Sequence, residues 1–168
     1  GANPKVAVTR LKQMAQNLGL PEQIAETWKD WVDDDLEVSG YGAEDSEYLI
    51  AQIPHRTPNQ PVLDTSELYL LQNVEREQLQ QLMPHVCLLP DADTRINVNT
   101  ANAQTLAALD RSIAVTVAEP ISATERSYKT VDEFVQEYPD FTPLADAISV
   151  TSSHFLLHAQ AQVGSSSV

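Results

Sequence analysis

Residues Trp31 to Leu49, WVDDDLEVSGYGAEDSEYL, set seven carboxylates around the tripeptide Gly40-Tyr41-Gly42. The segment decides the fold because helical patterns flank it. Before it, PEQIAETWKDWV places Ile24, Trp28, Trp31 and Val32 on one apolar face, so both tryptophans read as core packing. Further upstream, NPKVAVTRLKQMAQNLGL carries Asn3 as a cap, Pro4 at the first helical position, and Ala7, Leu11, Met14 and Leu18 at helical spacing before Gly19. After it, a short helix is expected over Glu44–Ile50. An acidic loop is thus held between two helices.

Beyond Ile50, PHRTPNQPVL contains three prolines that forbid a regular helix and indicate an ordered surface loop. Two further helices are expected, Ser66–Gln72 behind Thr65 and Glu75–Leu82 behind Asn73. VCLLP and RINVN then read as strand or extended chain, and a helix follows over Ala103–Leu109, capped by Asn99 or Thr100. Thr130 and Glu133 stand at capping-box spacing, which predicts a helix from Thr130. Finally, HFLLHAQAQV alternates Phe155, Leu157, Ala159, Ala161 and Val163 against Leu156, His158, Gln160 and Gln162, the period of a half-buried strand. The order of elements implies an α+β fold, mostly helical with a smaller sheet.

The chain has 168 residues, 42% of them hydrophobic, enough to bury a core. Its ten Lys and Arg against 24 Asp and Glu give a net charge of −14, which repels phosphate backbones and favours cations or basic partners. Cys87 is the single cysteine, so an internal disulfide and a thiolate metal cluster are excluded; its apolar setting in HVCLLP reads as a buried thiol. No apolar run approaches the roughly 20 residues of a membrane helix, and no signal peptide opens the sequence. The start GANPKV and the polar end GSSSV read as processing boundaries.

Asp33, Asp35 and Glu37 alternate, and Glu44 lies eleven residues beyond Asp33, matching positions one, three, five and twelve of a calcium loop. The sharp-turn glycine of that motif fails, because its position holds Val38. Hard oxygen donors on a glycine-containing loop nevertheless suit calcium, with magnesium as a weaker alternative, and the lack of His or Cys there disfavours zinc. A solvated acidic loop with helix capping is the competing reading. Against it stands the repulsion among seven carboxylates with only Lys29 and Arg56 nearby in sequence.

Catalytic readings fare worse. A glycosidase needs one carboxyl in an apolar niche, and this loop is polar throughout. His55, His85, His154 and His158 are scattered and form no metal motif, and no Gly-x-Ser-x-Gly elbow or phosphate-binding glycine loop occurs. RINVNTANAQTLAAL resembles the opening of helix-hairpin-helix DNA-binding modules, but the following LDRSIAV has no glycine hairpin and the charge is wrong.

Taken in order, DWVDDD, GYGAEDSEYL, RTPNQP, SEL, LPDADTRINVNTANAQTLAAL and HFLLHAQAQV resemble general secretion pathway protein K, the large minor pseudopilin of type II secretion. The most diagnostic piece is Asp30-Trp31-x-Asp33-x-Asp35 followed by Gly42-Ala43-Glu44-Asp45 and Tyr48. The resemblance implies a pilin-like α/β core with a large helical domain inserted into it, and a C-terminal antiparallel strand of that core. It divides the chain into a helical domain over 1–85, a mixed segment over 86–145 that completes it, and strand and tail over 146–168. It also implies a non-enzymatic role. The protein would assemble with I-type and J-type minor pseudopilins at the tip of the periplasmic pseudopilus, cap the filament, and engage secreted exoproteins. A bound calcium ion is implied, with Asp33, Asp35, Glu44 and Asp45 as ligands and Glu37 and Glu47 next in line. The inner-membrane helix of the family, its leader peptide and most of the first pilin-core strands are expected before residue 1.

Overall fold

In the computed structural model, residues 4–89, 94–157, 159–160, 162–163 and 166–167 are described. Helix α1 (Pro4–Asn17) packs antiparallel-style against α2 (Gln23–Val32) across a tight turn at Gly19. Gly19 adopts φ +70°, and the amides of Gly19 and Leu20 close onto the carbonyls of Gln16 and Ala15 at 3.0 and 2.8 Å, which ends α1 in a left-handed cap. Met14, Ala15, Leu20 and Ile24 meet Leu82 and Ala108 in one apolar cluster. The proposed cap Asn3 lies outside the described residues.

The second cluster lies under the acidic loop. Trp31 of α2, Ala43, and Tyr48 of α3 (Asp45–Tyr48) pack with Leu68, Leu71 and Leu79. Leu68 comes from a 3₁₀ helix (Thr65–Leu70) and Leu79 from α4 (Arg76–Leu82). The prediction placed Thr65 and Asn73 as the caps of these two helices. Asp64 caps the first instead, accepting from the Ser66 amide at 2.8 Å, and Glu75 stands at the start of α4 with its amide bonded to Gln78. Asn73 takes the left-handed conformation, φ +57°, and so marks the turn before α4.

The third cluster is built from Val98, Leu106, Ile113, Ala118, Ile121, Phe134, Phe141 and Ile148. Strand β1 (Ile96–Asn97) pairs in parallel with β2 (Ile148–Ser149), Ile96 facing Ile148. Around this pair lie α5 (Ala103–Ala107), α6 (Val115–Ala123), α7 (Val131–Glu137) and a 3₁₀ segment (Pro139–Ala147). Asn102, not Asn99 or Thr100, caps α5 by accepting from the Thr105 amide at 2.8 Å. Asn99 instead clamps three segments: its Nδ2 donates to the Tyr128 and Val150 carbonyls at 3.0 Å and its Oδ1 accepts from the Tyr128 amide at 2.9 Å. Thr130 caps α7 as its spacing predicts. The sequence pattern gave no sign of α6, because Pro120 sits inside it. A proline there removes one donor and disguises a helical run.

The mixed α+β class holds, with the helices dominant and the core sheet two-stranded. The C-terminal antiparallel strand requires correction. Phe155, Leu156 and Leu157 are 85%, 83% and 86% exposed, so neither face is buried over these three residues. Residues 154–157 are irregular; a period-two pattern produces a half-buried strand only where a neighbour supplies the ladder, and β1–β2 is parallel. The antiparallel pairing present joins two short strands, β3 (Gln162–Val163) and β4 (Ser166–Ser167), and His158 and Ala161 of the predicted strand lie outside the described residues. VCLLP is likewise irregular where it is described, with Cys87 exposed rather than buried.

Phe134 is fully buried among Tyr128, Tyr138 and Phe141, with ring centroids 5.1–5.4 Å away. Phe134→Ala is expected to cost about 3–5 kcal/mol in urea denaturation, the usual loss for an aromatic cavity. A loss under about 1 kcal/mol would show that this cluster does not carry the third core.

Candidate metal centre

Helix α2 organises the acidic loop from one face, because Glu26, Lys29, Asp30 and Asp33 lie on successive turns. Glu26 bridges to α1 through Lys12 at 2.6 Å and accepts from the Tyr41 amide at 2.9 Å. Asp30 accepts from the Ser39 amide at 2.9 Å, and Lys29 donates to the Ser39 hydroxyl at 2.5 Å. The loop turns back through the Gly42 amide, which donates to the Ser39 carbonyl at 2.8 Å, with Gly40 at φ +58°. Gly42 is required by close approach: a Cβ there would stand 2.0 Å from Asp30 Oδ2. The two glycines of the motif therefore serve the packing of the loop against α2.

This folding brings Glu44, the residue before α3, to Asp30 and Asp33. One carboxylate oxygen from each lies within 4.8 Å of the others. Asp30 is 0% exposed and Glu44 is 2% exposed. Both Glu44 oxygens, Asp30 Oδ1 and Asp33 Oδ1 are buried without a hydrogen-bond partner, although Asp33 Oδ2 pairs with the Lys29 ammonium at 2.8 Å. Burial, then repulsion from Asp30, Asp33 and Asp35, pushes the Glu44 carboxyl up to about 7. Burial also raises Asp30, against the opposing bond from Ser39. Unpaired buried carboxylates are costly, and an oxygen-only cluster of this kind has the donor chemistry of a hard divalent cation. The residues fit calcium: each of the three carboxylates offers an oxygen to the cluster, and second carboxylate oxygens, loop carbonyls or water can complete a shell of six to eight.

Of the expected ligands, Asp33 and Glu44 come together here. Asp35 is exposed, accepts from the Glu37 amide at 2.8 Å, and acts on Glu44 through its charge. Asp45 faces the proline-rich loop, where it pairs with Arg56 and accepts from the Thr57 amide and hydroxyl at 2.9 and 3.1 Å. Those bonds hold its carboxyl below the ordinary value in spite of the desolvation that opposes them. Glu37 is exposed, and Glu47 folds back on the Glu44 amide at 2.9 Å. Asp30 was not among the expected ligands. Its one signal in the sequence was the i,i+3 spacing with Asp33 at the end of α2.

A floor of aromatic rings supports the cluster. Trp31 and Tyr48 meet edge-on at 5.2 Å, the His55 ring lies tilted 5.1 Å from Tyr48, and the Tyr48 hydroxyl accepts from the Gln72 amide at 3.1 Å.

The family model for type II secretion system (T2SS), protein K, matches residues 1–91. The chain belongs to the type II secretion system protein K family. It is 39% identical over 92 residues to the protein K of Klebsiella pneumoniae, an alignment spanning 52% of this chain and 28% of that one. To the protein K of Aeromonas hydrophila it is 29% identical over 153 residues, spanning 84% of this chain and 46% of the relative. The chain thus spans less than half the length of these protein K relatives. A solved structure is also similar: a chain in the crystal structure of the GspK-GspI-GspJ complex from enterotoxigenic Escherichia coli, with a TM-score of 0.70 and 29% identity, covering 88% of this chain and 56% of that one. The likeness to a protein K complex therefore extends past residue 91 into the third core.

With divalent cations chelated, the raised Glu44 carboxyl makes stability depend on pH. The folded state keeps a proton up to about 7 that the unfolded chain releases near 4.5, so this contribution is complete below 4.5 and is lost as pH rises through about 7. Carboxyls held low, such as Glu26 and Asp45, act only below their ordinary values of 4.5 and 3.8, outside that window. The melting temperature is expected to fall between about pH 5 and pH 8, and Glu44→Gln to flatten the fall. Equal slopes for the two proteins would contradict the burial of an ionisable Glu44.

Proposed function

We propose that the chain is the periplasmic part of a minor pseudopilin, a non-enzymatic component of a type II secretion machine in a Gram-negative bacterium. It assembles with I-type and J-type minor pseudopilins at the pseudopilus tip, where it initiates and caps the filament and supports export of exoproteins through the outer membrane. The observation that carries this reading is the likeness, over 88% of the chain, to a chain of the GspK-GspI-GspJ complex. On this reading, residues 1–85 and 86–145 belong to the helical domain and residues 146–168 to the pilin-like core and tail. Among the described residues no helix is long and apolar enough to cross a membrane. The net charge of −14 argues against nucleic acid as a partner.

The test of assembly uses the full-length protein expressed with the I and J homologues of its own secretion system. Co-purification of all three is expected. A protein that purifies free of both would contradict the reading.

The acidic loop is proposed to hold calcium that stabilises the fold. What supports this is the set of buried, unpartnered oxygens on Asp30, Asp33 and Glu44. Asp35 and Asp45, implied as ligands by the resemblance, are proposed here to act from the rim of the site. Calorimetry on the demetallated chain should show binding, and calcium at about a hundred times its dissociation constant should stabilise the fold by roughly 2.7 kcal/mol. Asp30→Asn should weaken binding by at least ~10-fold, as loss of a charged ligand does, whereas Asp34→Asn on the exposed side of the loop should change it less than ~2-fold. No binding heat together with a melting curve indifferent to chelator would return the loop to a solvated surface.

A further inference from the structure

Lys29 sits beside two of the three carboxylates where a cation would bind. Its ammonium touches Asp33 Oδ2 at 2.8 Å and stands 3.9 Å from Asp30 Oδ1, both on carboxylates of the cluster, and it donates to the Ser39 hydroxyl at 2.5 Å. Its side chain is 37% exposed, whereas Asp30 beside it is fully buried. One end of this side chain therefore competes for the cluster while the rest has a route to solvent.

Calcium requires carboxylate oxygens at about 2.3–2.6 Å, and the ammonium on Asp33 Oδ2 lies close enough to compete for the carboxylates it would draw on. Three carboxylates and one ammonium leave the cluster with a formal charge of −2 before any metal arrives. An ion of charge +2 only a few ångströms from an ammonium of charge +1 meets direct repulsion. The flexible four-carbon stem of lysine lets its head move out while the stem stays packed, which a rigid guanidinium does less readily. Asp35, exposed on the rim, already acts on Lys29 through its charge and offers a place to receive it.

We propose that Lys29 is the internal counter-ion of this site, displaced from Asp33 and Asp30 when a divalent cation enters, and that this exchange sets the affinity of the site. The proposal rests on the calcium reading and adds a residue that lowers affinity instead of supplying a ligand. In the ion-free protein Lys29 relieves part of the carboxylate repulsion, and in the loaded protein its amine faces water.

Two measurements test it. Calorimetric calcium titrations compare the wild-type chain with Lys29→Met, which keeps the stem and removes the charge. The variant is expected to bind about 10-fold more tightly, the order expected when a unit charge near a divalent ion is removed. In parallel, the wild-type chain is acylated with acetic anhydride, with and without calcium, and labelling at Lys29 is read by mass spectrometry against Lys129. Calcium is expected to raise Lys29 labelling at least ~3-fold, because an ammonium freed from its carboxylates reacts more readily. If the wild type binds no calcium, the calcium reading itself fails and this proposal with it. If wild type and variant bind equally, or the variant binds more weakly, the site stands and Lys29 is not its competitor. Should Lys29→Met fail to fold, the labelling decides alone: unchanged or reduced labelling in calcium overturns the exchange.

Discussion

Two buried carboxylates and a partly exposed third, drawn together where the end of α2 meets the start of α3, are the constraint around which this end of the protein is arranged. Asp30 and Asp33 lie in the last turn of α2 and just beyond it, at the end of a helix whose dipole already disfavours negative charge. Glu44 is brought to them by a loop hung from α2 through Glu26, Lys29 and Asp30. Without compensation, the same contacts that hold the loop also force like charges together. Lys29 supplies part of that compensation, and a hard divalent cation is the chemistry that would supply the rest.

The arrangement joins the site to the packing beneath it. Trp31 is adjacent to Asp30 in sequence and buried in the cluster that holds Tyr48, Leu68, Leu71 and Leu79. Loosening the carboxylates therefore bears on the junction of α2, α3 and the proline-rich loop, where Asp45 holds Arg56 and Thr57. The third core, around Phe134 and the β1–β2 pair, has its own residues and its own clamp at Asn99. Ala108 ties it to the cluster of α1 and α4.

How much of this the sequence disclosed follows from the range of each signal. Local periodicity located α1 and α2, and the Thr130–Glu133 spacing located α7 together with its cap. Caps at Asp64, Glu75 and Asn102 were misplaced by one or more residues because several polar residues stand in line at each boundary and only tertiary contacts choose among them. Helix α6 was hidden by Pro120. Cys87 reads as buried from its apolar setting and residues 155–157 as half-buried from their alternation, yet burial depends on a neighbour that no local pattern names. In the site, the loop carboxylates were conspicuous for their number, but Asp30 belongs to the helix before the loop and joins Glu44 only through the fold. Its fully buried position, beside a glycine that leaves room for it, is a three-dimensional fact.

The most direct test of the central claim is a crystal structure of the chain grown with calcium, with anomalous scattering used to locate the ion. The account predicts a single strong peak among Asp30, Asp33 and Glu44, with carboxylate oxygens at about 2.3–2.6 Å and the Lys29 ammonium turned away. A peak on the exposed side of the loop near Asp34 and Glu37, or none with Lys29 still seated on Asp33, would contradict it.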